Sequence, residues 1–264
     1  MITAVDQGRS KAESARARLG LGSEAIPDLF HMLEDLGICV VRRPLGEDGP
    51  DGALLVSPEL TVILTNSSQR LSRQRFTAAH EYGHLLFDAQ PRLRVDLSVF
   101  DGARDASEKR ANAFAAHFLV PLDGVDRALQ QLGAREITAA TLVHLQFHFG
   151  VSYEVIRFQL LNAGAIPKTA ASRLAGASPE RLAWELGYGD KLRADRTDRD
   201  QTSLPSSYVR LAVKAYQLGR ISLSRLAELL RKDDVAALEA ELDQIGICPL
   251  EPAAEELAGD VELA

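Results

Sequence analysis

The sequence is poor in cysteine, contains no long apolar run and has no excess of positive charge. Its 264 residues include only two cysteines, Cys39 and Cys248, which excludes a disulfide scaffold and a zinc cluster built from cysteines. No stretch approaches the ~18 consecutive apolar residues of a membrane helix, and no apolar segment follows the basic residues near the N-terminus. We therefore expect a cytoplasmic protein that does not interact with a membrane.

The charge balance is acidic, with 30 Lys and Arg against 37 Asp and Glu, a net charge of −7. This balance argues against nucleic-acid binding over the whole surface and leaves only a local basic patch as an option. Hydrophobic residues make up 46% and charged residues 25% of the chain. These fractions are ordinary for globular proteins, so wholesale disorder is excluded.

Short β-rich runs come early in the chain, and amphipathic helices follow them. Proline and glycine clusters separate three runs that read as strands, 38–43, 53–57 and 61–66. Apolar residues then recur at helical spacing over 71–87, 106–120, 138–149 and 152–162. This order predicts an α+β fold, in which a small N-terminal sheet packs on helices and helical segments follow towards the C-terminus.

The predicted organisation has three parts. We expect a first domain over 1–165, in which 138–162 resembles a helix-turn-helix unit, and a linker over 166–207 with one short helix at 179–186. A small helical region covers 208–264, with helices near 208–218, 223–230 and 235–244. Its last residues, from Pro249, hold five acidic and no basic residues, which predicts a frayed tail.

The candidate metal-binding and catalytic residues form the pattern H-E-x-x-H at His80, Glu81 and His84. Two residues four apart on a helix share a face, so both imidazoles can reach one metal ion. Glu81 lies beside that face and is placed to act as general base on the attacking water. Two neutral nitrogens and one carboxylate suit Zn²⁺ and leave a fourth position open.

A third metal ligand has to come from elsewhere in the chain. The metzincin extension requires glycine and histidine where this sequence has Phe87 and Gln90, so that class is excluded. Glu108, at the start of a second predicted helix, is the preferred carboxylate, and Asp105 is the alternative if the register differs by one turn. The same pair also fits a capping box, in which both acids serve only their own helix terminus.

Three segments together are similar to the ImmA/IrrE family of bacterial metallopeptidases. They are R-Q-R-F-T-A-A-H-E-Y-G-H-L-L-F, then E-x-x-A-N-x-F-A-x-x-F-L-V-P, then F-G-V-S-Y-E-V-I-R-F-Q-L-L-N-A-G. The resemblance implies zinc bound by His80, His84 and Glu108, with Glu81 as general base. It also implies a helix-turn-helix repressor as the partner and substrate, cleaved to release repressed genes in transcription regulation and stress response. His117 and Gln159 depart from the family pattern.

We expect the remaining histidines and arginines to have structural rather than catalytic roles. His144 and His148 repeat the four-residue spacing, but Leu145 occupies the position of a catalytic glutamate. Arg70, Arg73 and Arg75 precede the motif, and we expect them on a solvated face. An extended substrate would pair with an edge of the small sheet, for which the run 61–66 is the candidate.

Two hypotheses for the function follow. The first is a zinc-dependent endopeptidase that cleaves a helix-turn-helix repressor. The alternative is a non-proteolytic factor, similar to an antitoxin, that binds DNA or a protein and keeps the peptidase fold as a scaffold. DNA binding by the 138–162 unit is disfavoured because its second helix offers only Arg157 against Glu154. The helices within 208–230 carry more basic residues and could bind DNA, although we favour docking of a partner or packing as a helical bundle. An intact Glu81 favours the first hypothesis, since a scaffold needs no base beside a metal.

Overall fold

The computed structural model describes residues 2–88, 90–98, 105–197 and 202–249. The chain divides into two compact units, Met1–Ser203 and Leu204–Ala264. Over the described ranges, no helix combines the length and the apolar character needed to cross a membrane.

The first unit is a four-stranded sheet with ten helices over its described residues, which confirms the predicted α+β class. The strands are β1 (Ile38–Arg43), β2 (Gly52–Val56), β3 (Thr61–Asn66) and β4 (Arg92–Asp96). The helices are α1 (Ala4–Arg18), α2 (Leu29–Asp35), α3 (Leu71–Phe87), α4 (Ala106–Leu119), α5 (Leu122–Gln131), α6 (Ala139–Phe149), α7 (Tyr153–Asn162), α8 (Lys168–Ala175), α9 (Pro179–Glu185) and α10 (Gly189–Thr197).

The strands lie in the order β1-β3-β2-β4. β1 runs parallel to β3, while β2 is antiparallel to both β3 and β4. β3 is therefore central, and the prediction that 61–66 forms an edge for substrate is wrong. Ser203 covers part of the outer edge of β1 through hydrogen bonds with Arg42, whereas β4 pairs only with β2 among the described strands. Within the described ranges, the open edge of the sheet is therefore β4.

One face of the sheet packs against α3 and contributes to the core. Val40, Leu54 and Ile63 are buried there, one from each of β1, β2 and β3. Alternate residues point to opposite faces of a strand, and on the other face Leu93 and Val95 of β4 are exposed. Their exposed fractions are 69% and 52%. The side chains of Arg92, Arg94 and Asp96 consequently lie on the α3 side of β4.

Small residues allow the helices around α3 to approach closely. Ala111 and Ala115 of α4 are fully buried. A Cβ added at Gly83 of α3 would lie 2.9 Å from Cδ1 of Phe114 in α4. α4 can therefore lie close enough to α3 for their side chains to share one site.

The segment predicted as a linker is folded. Three helices, α8 to α10, occupy 168–197, where one short helix was expected. Ala171, Leu174, Ala183 and Leu192 are buried in the same hydrophobic core as the sheet and α3. The linker prediction missed them because each helix contributes only one or two buried residues and is otherwise polar.

The second unit contains α11 (Ser206–Gln217), α12 (Leu223–Leu229) and α13 (Val235–Gln244). Its own small core contains Ala212, Leu226, Ala227, Leu238 and Leu242. The three predicted helices are therefore present and pack on one another. The predicted frayed tail beyond residue 249 lies outside the described residues.

Candidate metal centre

α3 carries the H-E-x-x-H motif, and a buried arginine anchors its first turns. Arg75 donates hydrogen bonds to the carbonyls of Ile26, Pro27 and Gly150, at 2.6, 3.1 and 3.0 Å. Burial lowers the pKa of its guanidinium from the usual value. The expectation that Arg75 lies on a solvated face is thus wrong, because three backbone oxygens hold it inside the protein.

His80, His84 and Glu108 come together where α3 meets α4. The two Nε2 atoms lie 2.9 Å apart. Nε2 of His80 is 3.3 Å from Oε2 of Glu108, and Nε2 of His84 is 3.3 Å from Oε1 of the same carboxylate. The exposed fractions of the two imidazoles are 0% and 1%, so these donor atoms meet in a largely buried pocket.

Asp105 and Glu108 have different positions. Asp105 is the N-cap of α4, and its Oδ1 accepts a 2.8 Å hydrogen bond from the backbone N–H of Glu108. The side chain of Glu108 turns towards the two histidines instead. The structure therefore places the cap function on Asp105 and brings only Glu108 to the cluster.

Two residues that the sequence analysis missed also belong to the cluster. Oδ2 of Asp96, on β4, lies 3.6 Å from Nε2 of His80 and 3.9 Å from Nε2 of His84. Arg94 forms ion pairs with both Asp96 and Glu108. β4 thus contributes a fourth candidate ligand, with a cation that balances the carboxylates.

Hydrogen bonds from α4 orient the two imidazoles. Oδ1 of Asn112 lies 2.8 Å from Nδ1 of His80. Because an amide oxygen can only accept, His80 donates from Nδ1 and keeps its Nε2 lone pair directed at the cluster. Ser107 Oγ lies 3.4 Å from Nδ1 of His84. Both Nε2 atoms are therefore presented as potential ligands.

Glu81 is fully buried, and neither of its carboxylate oxygens accepts a hydrogen bond from a donor group in the described part of the chain, although the carboxyl of Asp96 lies beside it. Burial raises the pKa of this carboxyl well above its usual range, and the negative charge of Asp96 raises it further. β2 passes close by, since a Cβ on Gly52 would lie 3.3 Å from Oε1 of Glu81. The Glu81 carboxyl is therefore held in place but lacks a hydrogen-bond donor, as expected of a side chain whose partner is a bound ligand.

The neighbouring ionisable groups have the protonation states that metal ligands need. Burial, followed by the charges of His80 and Arg94, lowers the pKa of His84 to about 3. Burial alone would raise the pKa of Asp96, but His80, Glu81 and Arg94 outweigh it and hold that pKa below its usual range. Near neutral pH His84 is therefore neutral and Asp96 is ionised.

The other histidines lie outside the cluster. His117 is buried, as is Gln159, and Nε2 of Gln159 donates a 2.9 Å hydrogen bond to its Nδ1. The two departures from the family pattern are therefore partners of each other. His144 contacts the hydroxyl of Tyr188 at 2.7 Å, and His148 is exposed. The described residues contain one cluster that could hold a metal ion, formed by His80, His84, Asp96 and Glu108.

Residues 33–161 match the family model described as the IrrE N-terminal-like domain, peptidase M78. This segment, just under half of the chain, is similar to an IrrE N-terminal-like domain. The match contains the four cluster residues and Glu81, which confirms the family resemblance drawn from the motifs. It also supports the expectation of a metallopeptidase, which remains a proposal.

Two curated relatives carry the same name, radiation response metalloprotease IrrE. The protein from Deinococcus deserti is 35% identical over 133 residues, which are 49% of this chain and 45% of the relative. The protein from Deinococcus radiodurans is 32% identical over 150 residues, 56% of this chain and 44% of the relative. The match therefore spans less than half the length of each relative.

The cluster fits the divalent metal that a metallopeptidase domain implies. Its donor set is two imidazole nitrogens and two carboxylates, a combination suited to such ions. Both oxygens of Glu81 are buried and accept no hydrogen bond from the described residues. A bound cation and its associated water would satisfy these atoms.

Proposed function

We propose that this chain is a zinc-dependent endopeptidase, with His80, His84 and Glu108 as metal ligands and Glu81 as the general base. The observation that carries the proposal is the buried carboxylate of Glu81, which accepts no hydrogen bond from the described residues and lies beside three convergent potential ligand atoms. A structural metal site has no need of such a group, because a buried carboxylate without partners destabilises the fold.

The spacing of the donor atoms supports zinc. Ligands at about 2.0–2.2 Å in a tetrahedron are separated by roughly 3.3–3.6 Å. The separations between Glu108 and the two histidines are both 3.3 Å, whereas the two Nε2 atoms, 2.9 Å apart, would have to move slightly apart around the ion. Asp96 lies slightly farther, at 3.6 and 3.9 Å. We therefore assign Asp96 to orienting Arg94 and the histidines, which leaves the fourth position to water.

The chain's own residues divide the work of peptide hydrolysis. A bound zinc ion would polarise the scissile carbonyl and favour ionisation of the attacking water. Glu81 accepts the proton of that water and delivers it to the leaving amine. Its raised pKa suits this task, since the same carboxyl has to hold the proton between the two transfers. Asn112 keeps His80 in the tautomer that can bind metal.

The proposed substrate is a helix-turn-helix repressor, and its cleavage would release the genes it represses. The curated relatives are named radiation response metalloproteases, which supports a role in stress response. Transcription regulation and a cytoplasmic location are parts of the same proposal. The free edge of β4, beside the metal ligands, can hold an extended substrate segment by main-chain pairing. This geometry requires an accessible loop or an unfolded segment in the repressor.

Metal analysis of the purified protein, with Glu81→Gln measured beside it, tests this function. We expect about one zinc per chain in both proteins and repressor cleavage only by the wild type. If both proteins bind zinc but neither cleaves a repressor, while the region 204–264 binds a DNA probe, the alternative hypothesis of a non-proteolytic binding factor is correct instead.

A further inference from the structure

A groove of about 910 Å³ begins next to the metal cluster, at the end of β4. Leu97 and Ser98, which follow Asp96 directly in the chain, form part of its lining. Asp51 lines it as well, and its backbone N–H donates a 3.0 Å hydrogen bond to the carbonyl of Asp96. A segment that pairs with β4 and extends past Asp96 would reach Leu97 and Ser98, and with them this groove.

Acidic side chains dominate the solvent-facing part of the groove. Glu47, Asp48 and Glu154 line it and are exposed. The two arginines of the lining are already engaged, Arg73 with Asp51 at 2.8 Å and Arg70 with Glu180 at 2.7 Å. The groove consequently offers negative charge to a ligand, although Arg157 balances part of the charge of Glu154.

Two large apolar side chains in the same groove are left open to solvent. The exposed fraction is 77% for Leu97 and 50% for Phe158. They belong to different elements, the segment after β4 and helix α7, and both line the groove. An apolar side chain lying between them would remove apolar surface of both partners from water, which favours binding.

We propose that this groove is the subsite for substrate residues on one side of the scissile bond, and that it selects an extended segment in which apolar and basic residues alternate. The inference rests on the proposed endopeptidase function. Apolar side chains contact Leu97 and Phe158, and basic side chains contact Asp48 and Glu154. Alternation follows from pairing with β4, because successive side chains of an extended segment point to opposite sides.

Peptide binding to the Glu81→Gln protein, which cannot turn the ligand over, tests the proposal. The probes are two fluorescein-labelled ten-residue peptides of alanine and serine, one with a central Leu-Arg-Phe-Arg and the other with Leu-Glu-Phe-Glu. We expect fluorescence anisotropy to give about threefold to tenfold tighter binding of the basic peptide, from two partly solvated ion pairs. The difference should shrink as salt rises.

Matched variants assign the selectivity to the groove. In the Glu81→Gln background, Asp48→Lys should remove most of the preference for the basic peptide, and Leu97→Ser should weaken both peptides. Asp126→Lys, an exposed position on α5 outside the groove, changes the net charge equally and should leave the preference intact. Thermal unfolding checks that each variant is folded.

The outcomes separate this inference from the proposed function. Equal binding of the two peptides, or an equal effect of Asp48→Lys and Asp126→Lys, overturns the groove assignment even if the wild type cleaves a repressor. Selective binding that depends on Asp48 supports the groove, and it does so even if the wild type cleaves nothing and the proposed function fails.

Discussion

The hydrogen bond between Asn112 and His80 provides a sharp test of how the site is organised. Nδ1 of the fully buried imidazole lies 2.8 Å from the amide oxygen. Replacing Asn112 with leucine preserves the volume but removes the acceptor. The Nδ1–H is then buried without a partner, and the tautomer with the proton on Nε2, which cannot bind metal, becomes competitive.

The expected loss of zinc affinity can be estimated from the role of the hydrogen bond between Asn112 and His80. Loss of the partner that orients a ligating histidine typically weakens metal binding about 10- to 100-fold, which corresponds to about 1.4–2.7 kcal/mol. Asn112→Asp keeps an acceptor at the same place and should bind zinc at least as tightly as the wild type. The zinc affinity should therefore decrease in the order Asn112→Asp, wild type, Asn112→Leu.

Competition with a chromophoric chelator at fixed pH measures these affinities directly. Cobalt substitution adds a second readout, since its absorption spectrum reports a change in ligand geometry that a loss of overall stability would not produce. If Asn112→Leu binds zinc as tightly as the wild type, or if Asn112→Asp is as weak as Asn112→Leu, the orienting role is refuted.

Three further predictions concern the ligands, the packing and the pH dependence. Glu108→Ala should lower zinc retention during dialysis far more than Asp105→Ala, because Asp105→Ala removes only a helix cap worth about 1 kcal/mol of stability. Equal zinc contents in the two variants would contradict the ligand assignment. Gly52→Ala should lower the free energy of unfolding in urea by about 1–3 kcal/mol, because the new Cβ meets a threonine methyl at 2.5 Å, whereas Gly176→Ala, with its first neighbour at 3.5 Å, should have little effect. Burial lowers the pKa of His117 in the folded protein. Its contribution to stability is therefore complete above the pKa of the unfolded state, about 6.5, and decreases as the pH falls below that value. In metal-free protein, the unfolding free energy should decrease less between pH 7 and pH 5 for His117→Gln than for the wild type.

The motif helix and its ligands could be predicted because their signal is local. The predicted helix 71–87 agrees with the observed bounds of α3, and the four-residue spacing of His80 and His84 fixes their shared face. The direction of the Glu108 side chain could not be settled in this way. A capping box and a metal ligand place the same residue types at the same spacing, and only the packing of α4 on α3 decides between them.

β4 escaped prediction for a different reason. Its sequence alternates charged and apolar residues, as a half-buried strand does, but the usual orientation is reversed. The charged residues Arg94 and Asp96 face the metal cluster, while Leu93 and Val95 face solvent. A strand that directs its polar face inward has the alternation of an ordinary strand, and the sequence alone gives no indication that the inner face serves a buried site.

The most direct test of the whole account is repressor cleavage by wild-type and Glu81→Gln proteins that carry the same amount of zinc. Each protein is incubated with the helix-turn-helix repressors encoded beside it, native and heat-unfolded, and the fragments are mapped by mass spectrometry. We expect the wild type to cut at an accessible loop and Glu81→Gln to be about 10²- to 10⁴-fold slower. Equal cleavage by both proteins, or none by a zinc-loaded wild type, would contradict the assignment of Glu81 and the proposed endopeptidase function.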